Sequence, residues 1–519
     1  MSRPDPMGGV SLGEPSGSRR SFRATARDVL RQPRAALGVL TARLAGKRLR
    51  ARQRLAALIG IDHRLALPAT EMDRPRDEAP AGGSFILLGS GTLLQGASER
   101  IERAFADDPN LQALYGDGLV QREPGGPVFP ILPPAFDPDL LLSVDYLGTL
   151  AVRRDALLSP SDPLSAAFVI AERYGAKAIG HLPGLLYLHR PNDEPANHRL
   201  AAVRAHLDRT GREAVMLMME TGGLVRVTHP LPETPLVSVI VPTRDRLDLL
   251  RPCLDALRSR TAWPRLEVLV CDNESREPET LAYLRTLAGE GRGVVVPCPG
   301  PFNFAAMNNA AAAQAKGSLL VFMNNDVEAF RPDWLVAMAR HALRPEVGAV
   351  GAKLLDGEGR IQHGGIVLGT GGLATHAHRH FPGDAPGYLS TLRVAHRVSA
   401  VTAACLMVEA RKFHAVGGFD ADEFAVDFND VDLCLRLNAA GYHTLQVPEA
   451  VLHHREAASR RWTPEARARH EREVAAFKKR WGPLLVQDPH YHLGFDTGLS
   501  THARLAKDFP RQGPVRRPA

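Results

Sequence analysis

From residue 237 onward, short unbroken apolar runs alternate with stretches whose apolar positions recur every three or four residues. The run 237–241 is rich in β-branched side chains and has no polar alternation, the pattern of a strand covered on both faces of a parallel sheet. The same reading predicts a helix over 247–258, a strand over 267–271, a helix over 277–287, a strand over 293–296, a helix over 305–314 and a strand over 318–323. Strand, helix and strand in this order imply βαβ units and an open, mostly parallel α/β sheet with helices on both sides. Ligands of such sheets bind beyond the C-terminal strand ends. The residues to watch are therefore Thr243-Arg244-Asp245, Asp272-Asn273 and Asn324-Asn325-Asp326.

The pattern also repeats. Residues 85–119 share with 320–354 the order strand, polar turn, helix and strand, and 172–189 echo 438–454. The offset between the copies grows from about 236 to about 266, so the second copy carries roughly thirty extra residues, placed by this reading at 362–397. The copies differ where chemistry would sit: Gly89-Ser90-Gly91 stands opposite Asn324-Asn325-Asp326, and Leu164-Ser165-Ala166 opposite Asp430-Val431-Asp432.

Ahead of both copies, Leu30, Leu37, Leu40 and Leu44 recur at helical spacing among arginines and predict one basic amphipathic helix over about 24–59. Such a helix either lies on an anionic membrane surface or packs its apolar side on the next domain. A Pro- and charge-rich stretch at 68–83 reads as a linker, and a second break falls near 222–235. The expected organisation is a basic segment over 1–83, a degenerate partial domain over 84–222, a complete domain over 234–484 and a tail over 485–519.

Composition narrows the options. At 519 residues the chain exceeds one ordinary core. Its net charge of +7 conceals 13 basic against 3 acidic side chains within residues 1–60, so the remainder is slightly acidic. That distribution argues against a nucleic-acid binder, which carries its surplus on the folded body. Cys253, Cys271, Cys298, Cys405 and Cys434 are scattered with no CxxC spacing, which points to a reducing compartment and no structural zinc. No run approaches the roughly 18 apolar residues of a membrane span. A cytoplasmic protein is expected.

Asp326, ending an apolar strand, can hold a divalent cation together with diphosphate oxygens, or can simply close an Asx-turn or cap a helix. Asp430 and Asp432 open a helix that Gly441 ends; either can be a cap, and the other can face the cleft and accept a proton. His454 can join the same metal or be structural. His376, His378 and His380 lie in the extra loop and read as solvent-exposed. Gly89-Ser90-Gly91 is not a dinucleotide fingerprint, because its third glycine would fall at Leu94, and no GxxxxGK[ST] occurs.

Together these residues resemble a known family. The run from Ser238-Val239-Ile240-Val241-Pro242-Thr243-Arg244 through Val270-Cys271-Asp272-Asn273, Phe302-Asn303-Phe304, Asn308-Asn309, Asn324-Asn325-Asp326, Gln362-His363-Gly364-Gly365, Gly417-Gly418-Phe419-Asp420 and Asn429-Asp430-Val431-Asp432 to His454-Arg455-Glu456 is similar to inverting family 2 glycosyltransferases. The likeness is particularly to bacterial members near rhamnosyltransferases and O-antigen enzymes. The resemblance implies a GT-A fold, a Rossmann-like and mostly parallel sheet, and transfer of a sugar from a nucleotide-diphosphate donor to a hydroxyl of a glycan or lipid-linked acceptor. It implies that Pro242, Thr243 and Arg244 lie against the nucleoside, Asp272 on the base, and Asn308 near the ribose or diphosphate. Asn324, Asn325 and Asp326 take the place of the DxD motif, Asp326 and His454 would hold Mg2+ or Mn2+, and Asp430 matches the catalytic base. Asn324 departs from the usual first aspartate, and Arg455 replaces a commoner histidine. A non-catalytic sugar-nucleotide or glycan-binding scaffold and a sugar nucleotidyltransferase are the alternatives; the second usually opens with a Gly-rich basic loop, which Pro242-Thr243-Arg244-Asp245 is not.

Overall fold

A computed structural model describes residues 33–61, 63, 83–121, 128–156, 162–189, 196–212, 216–220, 223–455, 463–510 and 512–518. The helix expected from residue 24 therefore has its first residues, Leu30 and Arg31 among them, outside the described residues, as are most of the linker at 68–83 and Glu456. The chain divides into two compact units, the first comprising 1–230, 386–394 and 489–519, the second 231–385 and 395–488. The segment read as a tail thus divides, with 489–519 counted into the first unit.

In the first unit the basic stretch forms two helices rather than one, α1 (Pro33–Leu44) and α2 (Arg48–Ile59). Gly46, at φ 71°, adopts the left-handed conformation that ends α1, which periodicity among leucines and arginines does not reveal. Strands β1 (Phe85–Gly89), β2 (Thr92–Leu93), β3 (Ala113–Gln121), β4 (Val128–Ile131), β5 (Thr149–Arg153) and β6 (Ile179–His189) form a sheet of order β1-β5-β3-β6-β2, with β4 on β3. Helix α3 (Ala97–Asp107) buries Ala97, Ile101, Ala104 and Phe105, the helical spacing that lays one stripe on a sheet. In α4 (Pro163–Tyr174), Asp162 accepts a hydrogen bond from the Ser165 N–H at 2.8 Å, Pro163 opens the first turn and Gly175 closes the last. Helix α5 (Ala196–Arg209) and the hairpin β7 (Met216–Met219) and β8 (Val225–Thr228) follow.

The second unit holds β9 (Val237–Thr243), α6 (Leu247–Ser259), β10 (Leu266–Asp272), α7 (Pro278–Gly289), β11 (Val294–Pro297), α8 (Phe304–Ala312) and β12 (Leu319–Met323). Next come β13 (Val327–Ala329), α9 (Trp334–Ala342), β14 (Val347–Leu355), β15 (Ile361–His363), β16 (Ile366–Leu368), β17 (Ala374–His376), β18 (His396–Arg397) and β19 (Cys405–Glu409). Helix α10 (Asn429–Ala439), β20 (His443–His454) and α11 (Pro464–Val486) complete it. The sheet order is β11-β10-β9-β12-β19-β14-β20-β13, with β15 on β14 and β18 on β20. The expected parallel pairing holds from β11 to β12; beyond it β19 runs antiparallel to both neighbours, and β14 and β20 are parallel again. Buried apolar side chains line both faces, Val237, Val239 and Val241 on one and Ile240, Leu320 and Phe322 on the other, which is why 237–241 reads as unbroken apolar.

The repeat is a strand-for-strand correspondence. β1, β5, β3, β6 and β2 match β12, β19, β14, β20 and β13 in order and direction, and β4 on β3 matches β15 on β14. Both parallel central pairs carry a register shift at the same place, between Gly116 and Asp117 and between Ala352 and Lys353. Among the described residues, the β9 to β11 half has no counterpart in the first sheet. Matching strand starts, Phe85 and Leu319, Thr149 and Cys405, Ile179 and His443, show that most of the extra length precedes β19 and the rest lies between β19 and β20. It is thus not confined to 362–397.

Candidate active site

The parallel pairing of β9, β10 and β12 brings three strand ends together. Thr243 stands level with Asp272 in the ladder, and the Asn273 N–H donates to the Thr243 carbonyl at 2.9 Å. The Asn325 amide donates to Thr243 Oγ1 at 3.0 Å, tying the end of β12 to that of β9. Asp245, at φ 53°, accepts from the N–H groups of Arg276 and Glu277 at 2.6 and 2.8 Å, so the loops after β9 and β10 are stitched into one rim. Pro242 and Thr243 are buried, Asp272 is half-buried and Arg244 is exposed. Asp272 also accepts from the Ser275 N–H at 3.0 Å.

Asp326 is nearly buried, and its Oδ1 lies 3.1 Å from Nε2 of His454. Antiparallel β13 and β20 enforce the meeting, since Val327 is the ladder partner of His454 and the Arg455 N–H donates to the Asp326 carbonyl at 3.0 Å. Two ligands at right angles on an ion with bonds of about 2.1 Å stand about 3.0 Å apart, so this oxygen and nitrogen fit one divalent cation. Among the described residues, His454 Nδ1 is buried and has no hydrogen-bond partner. The proton is therefore free to sit on Nε2 against the carboxylate or on Nδ1 when Nε2 ligates a cation.

Antiparallel pairing of Met323 with Cys405 carries residues 402–404 past the end of β12. The Asn324 N–H donates to the Ala404 carbonyl at 3.1 Å, and the Ala403 N–H donates to Asp430 Oδ2 at 3.0 Å. Asp430 is thus joined to the Asn324-Asn325-Asp326 turn through one short loop. It is half-buried, and desolvation raises its pKa against the opposing hydrogen bonds from the Ala403 and Val431 N–H groups and Thr402.

The structure separates the two aspartates that spacing leaves equivalent. Asp432 is fully buried and engaged by Arg436 at 2.7 Å, Arg480 at 2.9 Å and the Trp481 indole N–H at 3.0 Å. It is a structural anchor between α10 and α11. Neither side chain is the N-cap of α10, a position held by Phe428.

Asn308 is fully buried on α8, its amide donating to the Phe304 carbonyl at 2.7 Å, while its Oδ1 has no partner among the described residues. Asn309 brackets the turn at 417–419, donating to the Phe419 carbonyl and accepting from the Phe419 N–H. His376, His378 and His380 are not solvent-exposed: His378 and His380 are buried, and His376 lies 2.7 Å from His363, Nδ1 to Nδ1. The short β16–β17 hairpin folds this stretch inward. Burial lowers the pKa of His363 and of His378 to about 3, so both are neutral. The Thr402 N–H points at His363 Nε2 at 3.4 Å, placing His363 behind the loop that holds Asp430. Only the Gln362-His363-Gly364-Gly365 run marked this residue in the sequence.

In the first unit the corresponding turn is closed. A Cβ on Gly91, the counterpart of Asp326, would meet Thr149 Oγ1 and come within 2.9 Å of the Tyr187 ring. Tyr187 is buried, donates to the Leu147 carbonyl at 3.1 Å and also occupies the space beside Gly118 and Gly148. His189, the counterpart of His454, meets Ser90 Oγ at 3.1 Å.

Among the described residues, the one group of three that could hold an ion by proximity lies elsewhere in the first unit: Asp117, His181 and His492, all buried. His181 Nε2 and His492 Nε2 stand 2.8 and 2.9 Å from Asp117 Oδ1. The Gly494 N–H donates to His492 Nδ1 at 2.8 Å, which leaves Nε2 as the ring nitrogen facing Asp117. Sequence inspection missed this cluster because its members are 64 or more positions apart. It is a hydrogen-bonded clasp joining β3, β6 and the 489–519 segment.

The chain is 38% identical over 441 residues to the uncharacterized protein y4gI of Sinorhizobium fredii (strain NBRC 101917 / NGR234), covering 80% of this chain and 48% of that protein. It is 36% identical over 477 residues to the O-antigen biosynthesis protein RfbC of Myxococcus xanthus, covering 84% and 37%. The chain thus spans about half or less of these relatives' length. Among solved structures, the mannosyltransferase PcManGT from Pyrobaculum calidifontis in complex with GDP-Man and Mn2+ is similar at 20% identity, with a TM-score of 0.35 over 49% of this chain and 69% of that one. Residues 238–365 match the family Glycosyl transferase family 2, and they supply β9 to β15, the strand ends with Thr243, Asp272 and Asp326 included. The part of the second unit that spans residues 238–365 therefore matches the glycosyl transferase family 2 model, on the mixed α/β sheet described above.

Proposed function

We propose that the chain transfers a sugar, with inversion, from a nucleotide-diphosphate donor to a hydroxyl of a glycan or lipid-linked acceptor. The product would be a cell-surface polysaccharide of the O-antigen kind, made at the cytoplasmic face of the membrane. The observation that carries the reading is the meeting of Asp326 and His454 at 3.1 Å beside a turn linked through residues 403 and 404 to Asp430. The 36% identity to an O-antigen biosynthesis protein supports the acceptor class.

In this reading Thr243 and Arg244 flank the nucleoside and Asp272 takes the base, all on the rim stitched by Asp245. Asn325, held by Thr243, keeps the turn in register so that Asp326 faces His454. These two residues would hold Mg2+ or Mn2+, and a cation bound there supplies neutralisation of the negative charge developing on the departing diphosphate. Asp430 takes the proton of the acceptor hydroxyl as its oxygen bonds to the anomeric carbon, while the bond from that carbon to the diphosphate oxygen breaks. The leaving group needs no acid, so one carboxylate suffices, unlike the pair a glycoside hydrolase uses.

The first unit, in this proposal, is a copy that no longer handles donor: Tyr187 fills the place of the site and Gly91 has replaced the acid. Its remaining role is scaffolding or acceptor binding. The test is turnover of UDP-, dTDP- and GDP-sugars by the full chain with Mn2+, before and after Asp430→Asn. Turnover lost with donor binding kept supports the enzyme, whereas binding without turnover in the unaltered chain favours a scaffold.

A further inference from the structure

We propose that the helical hairpin of α1 and α2 docks on an anionic lipid surface through its tip. Residues 33–61 contain seven basic side chains and no acidic one. Leu37, Leu40 and Leu44 are 60%, 52% and 78% exposed. Their spacing of three and four puts them in one stripe along α1. The other side of the helix carries Ala42, which is buried, with Ala35, Ala36 and Val39 partly covered. α1 is therefore apolar nearly all round, and among the described residues only one side meets protein.

The turn at the tip places charge beside this stripe. The Gly46 and Lys47 N–H groups donate to the carbonyls of Arg43 and Ala42 at 3.1 and 2.9 Å, reversing the chain so that Arg43, Leu44, Lys47 and Arg48 are all exposed together. α2 is fixed on its other side within the same unit, Arg52 pairing with Asp496 at 3.1 Å and the Gln53 amide donating to Ser500 Oγ at 3.2 Å. The exposed side of the hairpin thus presents leucines ringed by cations with no anion among them. A bilayer of anionic lipids matches both features, since its headgroups accept the cations and its acyl boundary accepts the leucines. Nucleic acid would use the charge but leave the leucines in water. No described helix is long and apolar enough to cross a membrane, so the contact is with the surface.

Flotation of the full chain with vesicles of phosphatidylglycerol and phosphatidylcholine, against phosphatidylcholine alone, tests this without any sugar transfer and so independently of the reaction proposed above. The expected result is binding to the anionic vesicles only, reversed by 1 M NaCl. Partitioning should fall on the order of a hundredfold in R43E/K47E/R48E. Binding should also fall at least tenfold in L37S/L40S/L44S, which keeps every charge. These positions are exposed, so thermal unfolding should match the unaltered chain. Equal binding to neutral vesicles, no loss in either variant, or protection of the hairpin from proteolysis by poly(U) but not by anionic vesicles would overturn the proposal.

Discussion

Oδ1 of Asp326 stands 3.1 Å from Nε2 of His454, although the two residues are 128 positions apart in the chain. Antiparallel β13 and β20 create this contact, and the family 2 match covers only the first of the pair. In Asp326→Ala, Mn2+-dependent donor binding should weaken by at least tenfold, because the remaining imidazole offers a single neutral ligand. His454→Ala should weaken it as well, and calorimetric titration with and without Mn2+ measures both.

Asp430 and Asp432 should part in their mutant phenotypes. Asp430→Asn is expected to lower kcat by about 10²- to 10⁴-fold while thermal stability is kept, the usual range for loss of a general base. Asp432→Ala strips a buried carboxylate from Arg436, Arg480 and Trp481 and should destabilise the fold by about 3–5 kcal/mol. Steady-state kinetics and denaturant unfolding, run on both variants, separate the roles.

The pH profile follows from the same site. Desolvation raises the Asp430 pKa, so its ionised, proton-accepting form is lost sooner on acidification than that of an ordinary aspartate. The acid limb of kcat should therefore lie above about pH 3.9. In Asp430→Asn the residual rate should lack that limb.

The clasp of Asp117, His181 and His492 makes a prediction about the first unit. Burial lowers the His181 pKa from 6.5 to about 4. Burial alone would raise that of Asp117, yet His492 and His181 hold it well below the carboxylate range. Between pH 6.5 and 4 the unfolded chain binds a proton at His181 that the folded one refuses, so stability falls as pH falls through this window. Urea unfolding at pH 7 and pH 4.5 should show that loss, and His181→Phe should lose less between the two pH values.

Much of the fold was legible in the sequence, and the proposed site follows its strand ends. The unbroken apolar run ending at Val241 and the runs ending at Cys271 and Met323 locate Thr243, Asp272 and Asn324 without any coordinates. The duplication was also visible in the strand, turn and helix order, down to the loss of the acid at Gly91. Other features depend on contacts between distant residues. Spacing treats Asp430 and Asp432 alike, and only Arg480 and Trp481, arriving on α11, show which one is neutralised. The β16–β17 hairpin that buries the loop histidines has strands of three residues each, too short to leave a periodic signal. The break at Gly46 divides a periodic stretch because one backbone conformation, not the apolar pattern, ends α1.

The duplication bears on stoichiometry. Tyr187 occupies the first unit's counterpart of the proposed donor turn, so the chain should bind one donor nucleotide rather than two. Gly91→Asp should not add a second site but should destabilise the first unit, since its side chain meets Thr149 and Tyr187. Binding stoichiometry and thermal unfolding of this variant check both expectations.

The most direct measurement of the central claim is calorimetric titration of the full chain, Asp326→Ala and Asp430→Asn with UDP-, dTDP- and GDP-sugars in the presence and absence of Mn2+, alongside donor turnover. The account predicts that one donor class binds to the unaltered chain and to Asp430→Asn in a Mn2+-dependent way, that Asp326→Ala loses this binding, and that only the unaltered chain turns donor over at full rate. Mn2+-independent binding that survives Asp326→Ala, or undiminished turnover by Asp430→Asn, would contradict it.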